Sequence, residues 1–207
     1  IQIEDRNGNK EESFTDLAEK KPYPINVVTD EGSASASEIL AVALKEIGYD
    51  TVGTTTFGKG TVQQAVPVGD QSEGNTLKLT FFKWLSPEGN WINEVGVEPT
   101  VEQKQPEFFY ANPIQVKKTF TFDQTNENIE NAQIMLKGLG YDPKRTDGYF
   151  DKQTEEAVRQ FQTENDLKVT GEIDEETAGK IELKVVEVIR EGKQDLQLEK
   201  ALEVLYK

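Results

Sequence analysis

The chain has 207 residues, a net charge of −15 and a pI near 4.5. Its length accommodates one or two domains, and a chain this acidic cannot neutralise a run of phosphates, which excludes nucleic acid as a partner and basic docking on an anionic membrane. It contains no His and no Cys, so Ser-His-Asp triads, Cys-His dyads, disulfides and His-ligated metals are excluded, and no cofactor or metal is expected.

Residues 1–24 are polar, with a short helix predicted near Ser13–Lys20 and ended by Pro22-Tyr23-Pro24. Ile25-Asn26-Val27-Val28 reads as a short buried strand. A helix follows from about Ser35 to Ile47, with a wide apolar face of Ile39, Leu40, Val42, Ala43, Leu44 and Ile47. Ser35-x-x-Glu38 is a capping-box pattern and Gly48 a stop signal. Thr51-Val52 opens another strand, and Thr61–Val68 and Thr76–Leu85 are two more, the second alternating as Leu77, Leu79, Phe81. Ser86–Asn90 is a turn; Trp91-Ile92 and then Val95–Thr100 resume extended structure. A strand–helix–strand run followed by further strands predicts an α/β or α+β fold with a mixed sheet.

Residues 101–124 change character, with Phe108, Phe109 and Tyr110 amid Gln, Lys, Pro and Asn. They read as a connection packed on the first domain, then a linker. From Asn126 the pattern is helical: Ile129, Ala132, Met135, Leu136 and Leu139 recur at helix spacing, closed by Gly138 and Gly140. Asp147-Gly148-Tyr149-Phe150 is a turn, Thr154–Asn165 a second helix, Thr170-Gly171-Glu172 a turn, and Glu175–Arg190 a third helix. A last short helix spans Asp195–Tyr206. No internal repeat is evident beyond the Ser-Ala alternation of residues 33–37. No apolar run is long enough to cross a bilayer and no leader is visible. The chain begins Ile1-Gln2-Ile3, which reads as the interior of a longer polypeptide.

Two stretches carry candidate chemistry. Gly32-Ser33-Ala34-Ser35-Ala36-Ser37-Glu38 puts hydroxyls at the start of an apolar helix, and Thr56-Phe57-Gly58-Lys59-Gly60-Thr61-Val62-Gln63 sets one lysine between two glycines. A neutral lysine amine accepts a proton from a serine hydroxyl, provided its ordinary pKa near ~10.4 is lowered by apolar surroundings. Ser35 at a helix start would have free amides, its own and that of Ala36, to stabilise an oxyanion. Gln63, four residues beyond Lys59, is placed to hold the amine. The plainer alternative is a serine that only caps a helix and small residues that permit close packing. A third reading takes Gly53–Lys59 as seven positions of a phosphate-binding loop. It fails because Gly60 stands where Ser or Thr is required and a strand-like, Pro-containing segment follows instead of a helix.

These paired motifs resemble the carboxy-terminal processing proteases (tail-specific proteases, peptidase family S41), with support from Leu85-Ser86-Pro87-Glu88-Gly89 and Gly96-Val97-Glu98-Pro99. The resemblance runs from about Pro24 to Thr100. It implies that Ser35 is the nucleophile, Lys59 the general base and Gln63 its support, with Ser33 and Ser37 as fallback nucleophiles. It further implies a serine endopeptidase that cleaves extended protein segments near exposed C-termini. The parent would be exported, associated with the membrane or cell wall of a bacterial envelope. The chain departs from the family at Glu46 and Tyr49-Asp50, and lacks the substrate-capturing PDZ domain and the segment supplying a further oxyanion donor. It is therefore expected to be the second half of a protease core, inactive alone, whose missing N-terminal half is a partner; a homo-oligomer is left open.

Ile129 to Gln133, Leu136, Leu139-Gly140-Tyr141, Asp147–Phe150, Ala157-Val158, Phe161-Gln162 and Thr170–Asp174 resemble the peptidoglycan-binding-like three-helix module. Arg145 and Tyr149, beside the Asp-Gly turn, are candidates for a glycan groove. The alternative function is a non-catalytic module that binds cell wall or a protein partner. The expected organisation is residues 1–118 as half a protease core, 119–190 as the helical module and 191–207 as a helix returning to the protease core.

Overall fold

The computed structural model describes residues 1–17, 19–69 and 74–207. In chain order its elements are β1 (Gln2–Asp5), β2 (Lys10–Glu12), β3 (Asn26–Thr29), α1 (Ala36–Glu46), β4 (Asp50–Gly53), β5 (Thr61–Pro67), β6 (Thr76–Leu85), β7 (Val101–Glu102), α2 (Glu127–Gly138), α3 (Lys152–Glu164), α4 (Glu175–Arg190) and α5 (Leu196–Leu205). They form two compact units, Ile1–Lys104 with Gln197–Lys207, and Gln105–Leu196.

The first unit is mixed α/β. An antiparallel sheet has the order β2-β1-β6-β5, and a parallel sheet the order β3-β4-β7. The β-branched runs Asn26–Thr29 and Asp50–Gly53 pair in register, Val28 opposite Val52, and α1 is the crossover between them. Ala41 and Val42 of α1 are buried, and Val42 joins Trp84, Ile92 and Val97 in the core. The other side of α1, with Leu40, Ala43, Leu44 and Ile47, lines an open apolar groove together with Phe14 and Leu17. Helix α5 belongs to this unit: Asn26 Nδ2 donates to Ala201 O (2.6 Å), and Gln197 Nε2 to Gln103 O (2.9 Å).

Three features differ from the sequence reading. The helix expected near Ser13–Lys20 does not form among the described residues; Phe14 is 84% exposed, and so short a segment has too little burial to hold a helix. The N-terminal residues instead make the β1–β2 hairpin. Its turn is closed by the Asp5 carboxylate, which accepts from the N–H groups of Asn7 and Asn9 (2.8 and 2.9 Å). Residues 91–100 are irregular rather than extended strand. The Phe108 segment belongs to the helical unit: Phe108 and Ile114 lie in its core, and Ile114 N–H donates to Glu182 Oε1 (2.5 Å).

The helical unit is built on Ile129, Leu136, Phe150, Val158, Phe161, Ile173 and Ile181, all fully buried. Gly138 lies under Phe108, whose ring a Cβ would approach to 2.3 Å. The unit also contains a repeated device that the sequence reading missed. Asp151 and Asp174 cap α3 and α4 by accepting from Thr154 N–H (2.9 Å) and Thr177 N–H (2.8 Å). Ahead of each cap, a fully buried glutamine holds the preceding turn. Gln133 Oε1 accepts from Gly148 N–H while its Nε2 donates to Thr154 Oγ1. Gln162 Oε1 accepts from Gly171 N–H while its Nε2 donates to Thr177 Oγ1. The match of Gly148–Thr154 with Gly171–Thr177 is the signal that was available.

Candidate active site

Glu38 joins the two motif stretches. Placed in the first turn of α1 and fully buried, its carboxylate accepts four hydrogen bonds. Oε1 takes Thr56 Oγ1–H (2.5 Å) and Gly58 N–H (2.6 Å); Oε2 takes Ser35 N–H (2.7 Å) and Lys59 N–H (2.8 Å). A fifth link runs from Phe57 N–H to Ser33 O (2.9 Å). Thr56 Oγ1 in turn accepts from Val97 N–H (2.8 Å), which ties the irregular 91–100 segment to the same point. The Ser35 N–H to Glu38 bond is the carboxylate half of a capping box.

Ser35 has φ 57° and ψ −111°, a backbone conformation costly for a residue with a Cβ. It turns the chain sharply into α1 and leaves the Ser35 side chain half-buried at the helix start. Its neighbours are disposed differently. Ser33 Oγ donates to Asp30 Oδ1 (2.8 Å) and is spent on its own turn, while Ser37 is exposed.

The lysine loop is pinned on every side of its backbone. Lys59 O accepts from the Trp84 indole N–H (2.9 Å), and Gly60 O from the Trp91 indole N–H (2.9 Å). Gly60 N–H donates to Asn93 Oδ1 (3.0 Å). The flanking glycines are sterically required. Gly58 has φ +86°, and a Cβ on it would lie 3.0 Å from the amides of Glu94, Val95 and Gly96. A Cβ on Gly60 would lie 2.8 Å from Asn93 N and from the Trp91 indole nitrogen. The Phe57 ring beside Lys59 is 65% exposed.

Three expectations meet a different geometry. The Ser35 amide is not a free oxyanion donor, because Glu38 occupies it; the Ala36 N–H has no acceptor among the described residues. Gln63 Nε2 lies 3.5 Å from Thr80 Oγ1, with no Gln63–Lys59 hydrogen bond among the described residues. Gln63 pairs with Thr80 of β6, one irregular step in register beyond the Val62–Phe82 pair. No hydrogen bond joins Ser35 Oγ and Lys59 Nζ among the described residues; the structure brings together their backbones, through Glu38. Glu46 accepts from Glu88 N–H (2.8 Å) and so holds the 86–90 turn. The Gly58 and Lys59 amides, which a phosphate-binding loop would aim at its ligand, are filled by Glu38.

In the helical unit, Arg145 donates Nε–H to Asp147 Oδ1 (2.7 Å) and Nη2–H to Asp147 Oδ2 (2.5 Å), and lies 4.8 Å over the Tyr149 ring. This fork holds the Asp147 carboxyl down at about 2, well below its ordinary range. Tyr149 OH donates to Asp123 Oδ1 (2.8 Å), which raises its pKa. The polar groups of both glycan-groove candidates are thus engaged internally.

The buried Glu38 carboxylate thus joins a strained serine at a helix start to a glycine-flanked lysine, and the family that matches these residues is a peptidase family. Through residues 1–103 the chain belongs to peptidase family S41, and residues 125–181 match a putative peptidoglycan binding domain. Over 207 residues, all of this chain, it is 54% identical to the carboxy-terminal processing protease CtpB of Bacillus subtilis (strain 168), of which it spans 42%. It is 37% identical over 208 residues to the carboxy-terminal processing protease CtpA of the same organism, of which it spans 43%. The chain therefore spans less than half the length of these relatives. Among solved structures, it is 39% identical to a photosystem II D1 C-terminal processing protease, with a TM-score of 0.36, covering 39% of this chain and 20% of that one.

Proposed function

We propose that this chain contributes the catalytic residues of a serine endopeptidase that cleaves protein substrates near exposed C-termini at the bacterial envelope. The observation that carries this reading is the Glu38 carboxylate, whose Oε2 alone receives the amides of both Ser35 and Lys59. Ser35 Oγ attacks the scissile carbonyl carbon and its proton passes to Lys59 Nζ. The Ala36 N–H, at the positive end of α1, receives the developing oxyanion. On collapse the C–N bond breaks and Lys59 returns the proton to the leaving amine. Water then hydrolyses the Ser35 ester, with Lys59 again taking the proton. Gln63 is the third residue of this set by resemblance, and serving Lys59 requires it to leave Thr80. Substrate binds extended; β5, an edge strand that begins two residues after Lys59, offers unpaired backbone groups for it.

The remaining part of the protease core docks, in this reading, on the apolar groove of α1 and Phe14, and the 207 residues alone are inactive. The decisive experiment is Ser35→Ala in the full-length parent, assayed on an unfolded protein with a free C-terminus. Cleavage is expected to vanish; its survival would remove Ser35 from the mechanism. Lys59→Ala is expected to match it.

A second reading, wall binding, is favoured by the match over residues 125–181. It predicts retention on insoluble peptidoglycan that depends on residues 126–190.

A further inference from the structure

We propose that the groove between residues 115–118 and the start of α2 binds the free carboxylate of a cell-wall stem peptide. The proposal rests on the wall-binding reading of the helical unit and gives it a place and a chemistry. The groove, of about 540 Å3, is lined by Gln115, Lys117, Lys118, Phe120, Gln124 and Asn126, among others, and by no carboxylate. In a chain of net charge −15, that composition is distinctive. Neither Lys117 nor Lys118 has an ion pair among the described residues. Arg145, by contrast, is already neutralised by Asp147 and Asp151.

The neutral groups point to the same ligand. Asn126 Oδ1 accepts from Asn128 N–H (2.8 Å) and from Asn128 Nδ2–H (2.9 Å). Gln124 Oε1 accepts from Thr121 N–H (3.2 Å). With the oxygens held by the protein, the amide nitrogens of Asn126 and Gln124 are the ends left for a ligand. The groove thus offers N–H donors and two ammonium groups, with an apolar contact at Phe120. That set fits an acceptor-rich chain that ends in an anion: a short peptide with backbone carbonyls, small side chains and a terminal carboxylate. The wall's glycan strand is uncharged apart from its peptides and does not use the lysines. A polyphosphate is matched by clustered cations and leaves the spaced amides idle.

The test uses the full 207-residue chain and the double variant Lys117→Gln/Lys118→Gln, with Arg145→Gln as a second variant and circular dichroism as the check on folding. The probes are peptidoglycan stripped of teichoic acid, the same material with its stem peptides removed by an amidase, and wall that retains teichoic acid. Expected are retention on the peptide-bearing material that weakens with salt, and a loss of about tenfold in the double variant or on peptide-free glycan, as for one charge-assisted contact. Equal binding by the double variant, or equal binding to peptide-free glycan, would overturn the groove assignment and leave wall binding standing. Binding only to teichoic-acid-bearing wall would replace the carboxylate with phosphate and also overturn it. Loss in Arg145→Gln alone would move the site to the Asp-Gly turn. No retention of the wild type on any probe would remove the wall-binding reading and the groove together.

Discussion

Ser35 makes two separable demands on its position, a hydroxyl and a backbone turn. Ser35→Ala removes the first and keeps the strain; Ser35→Gly removes both, because glycine adopts φ 57° without a Cβ clash. Ser35→Gly is expected to be more stable than Ser35→Ala by about 1 kcal/mol in denaturant unfolding, with both inactive in the parent. Glu38 is expected to be the more damaging single loss. Glu38→Ala leaves four donors in a buried site without their acceptor, and a destabilisation of about 3–5 kcal/mol follows, read by the same method. Both motif residues and their neighbours were legible in the sequence. The bond between the stretches was not: a capping-box glutamate ordinarily serves only its own helix, and nothing in Ser35-x-x-Glu38 announces that Thr56, Gly58 and Lys59 are its further donors. The Gln63–Thr80 contact was not legible, since a cross-strand partner is a property of strand pairing and not of spacing along one strand.

Elements divide by how local their causes are. Helices α1 to α4 were readable from apolar period, and α1 also from its capping pattern, because these signals lie within the helix itself. The β1–β2 hairpin was passed over although Asn7-Gly8 is a turn signal, because its strands are short and mostly polar, with β2 fully exposed. The buried glutamines belong to this scale as well. Gln162→Leu is expected to cost about 2–4 kcal/mol, since Thr170 N–H, Gly171 N–H and the Thr177 hydroxyl all lose a buried partner. Gln133→Leu removes the corresponding bonds at Gly148 and Thr154, and both losses are measurable as lowered thermal midpoints of the helical unit. The Asp147 carboxyl beside Arg145 adds a pH dependence. Because its folded pKa is about 2, below the ordinary value near ~4, the stabilisation is full above pH ~4 and is lost as the pH falls toward 2. Arg145→Gln is expected to flatten that part of the acid-unfolding profile.

At the scale of the molecule, sequence order and structural order part company: the chain leaves the first unit at Lys104 and re-enters it at Gln197. Removing residues 197–207 is therefore expected to raise hydrogen exchange at β3 and Gln103, where α5 bonds, while α2 to α4 keep their protection. The division after Lys104, rather than near residue 118, follows from Phe108 and Ile114. Their apolar character was plain in the sequence, but which core they join depends on a space such as the one left by Gly138. The chain has two tryptophans in all, and both donate their indole N–H to the carbonyls flanking the Lys59–Gly60 bond. Tryptophan emission, excited selectively over the six tyrosines, is consequently an optical readout of a single loop. Any ligand, variant or added segment that shifts the Lys59 backbone is expected to change the emission wavelength, without a label and without a substrate.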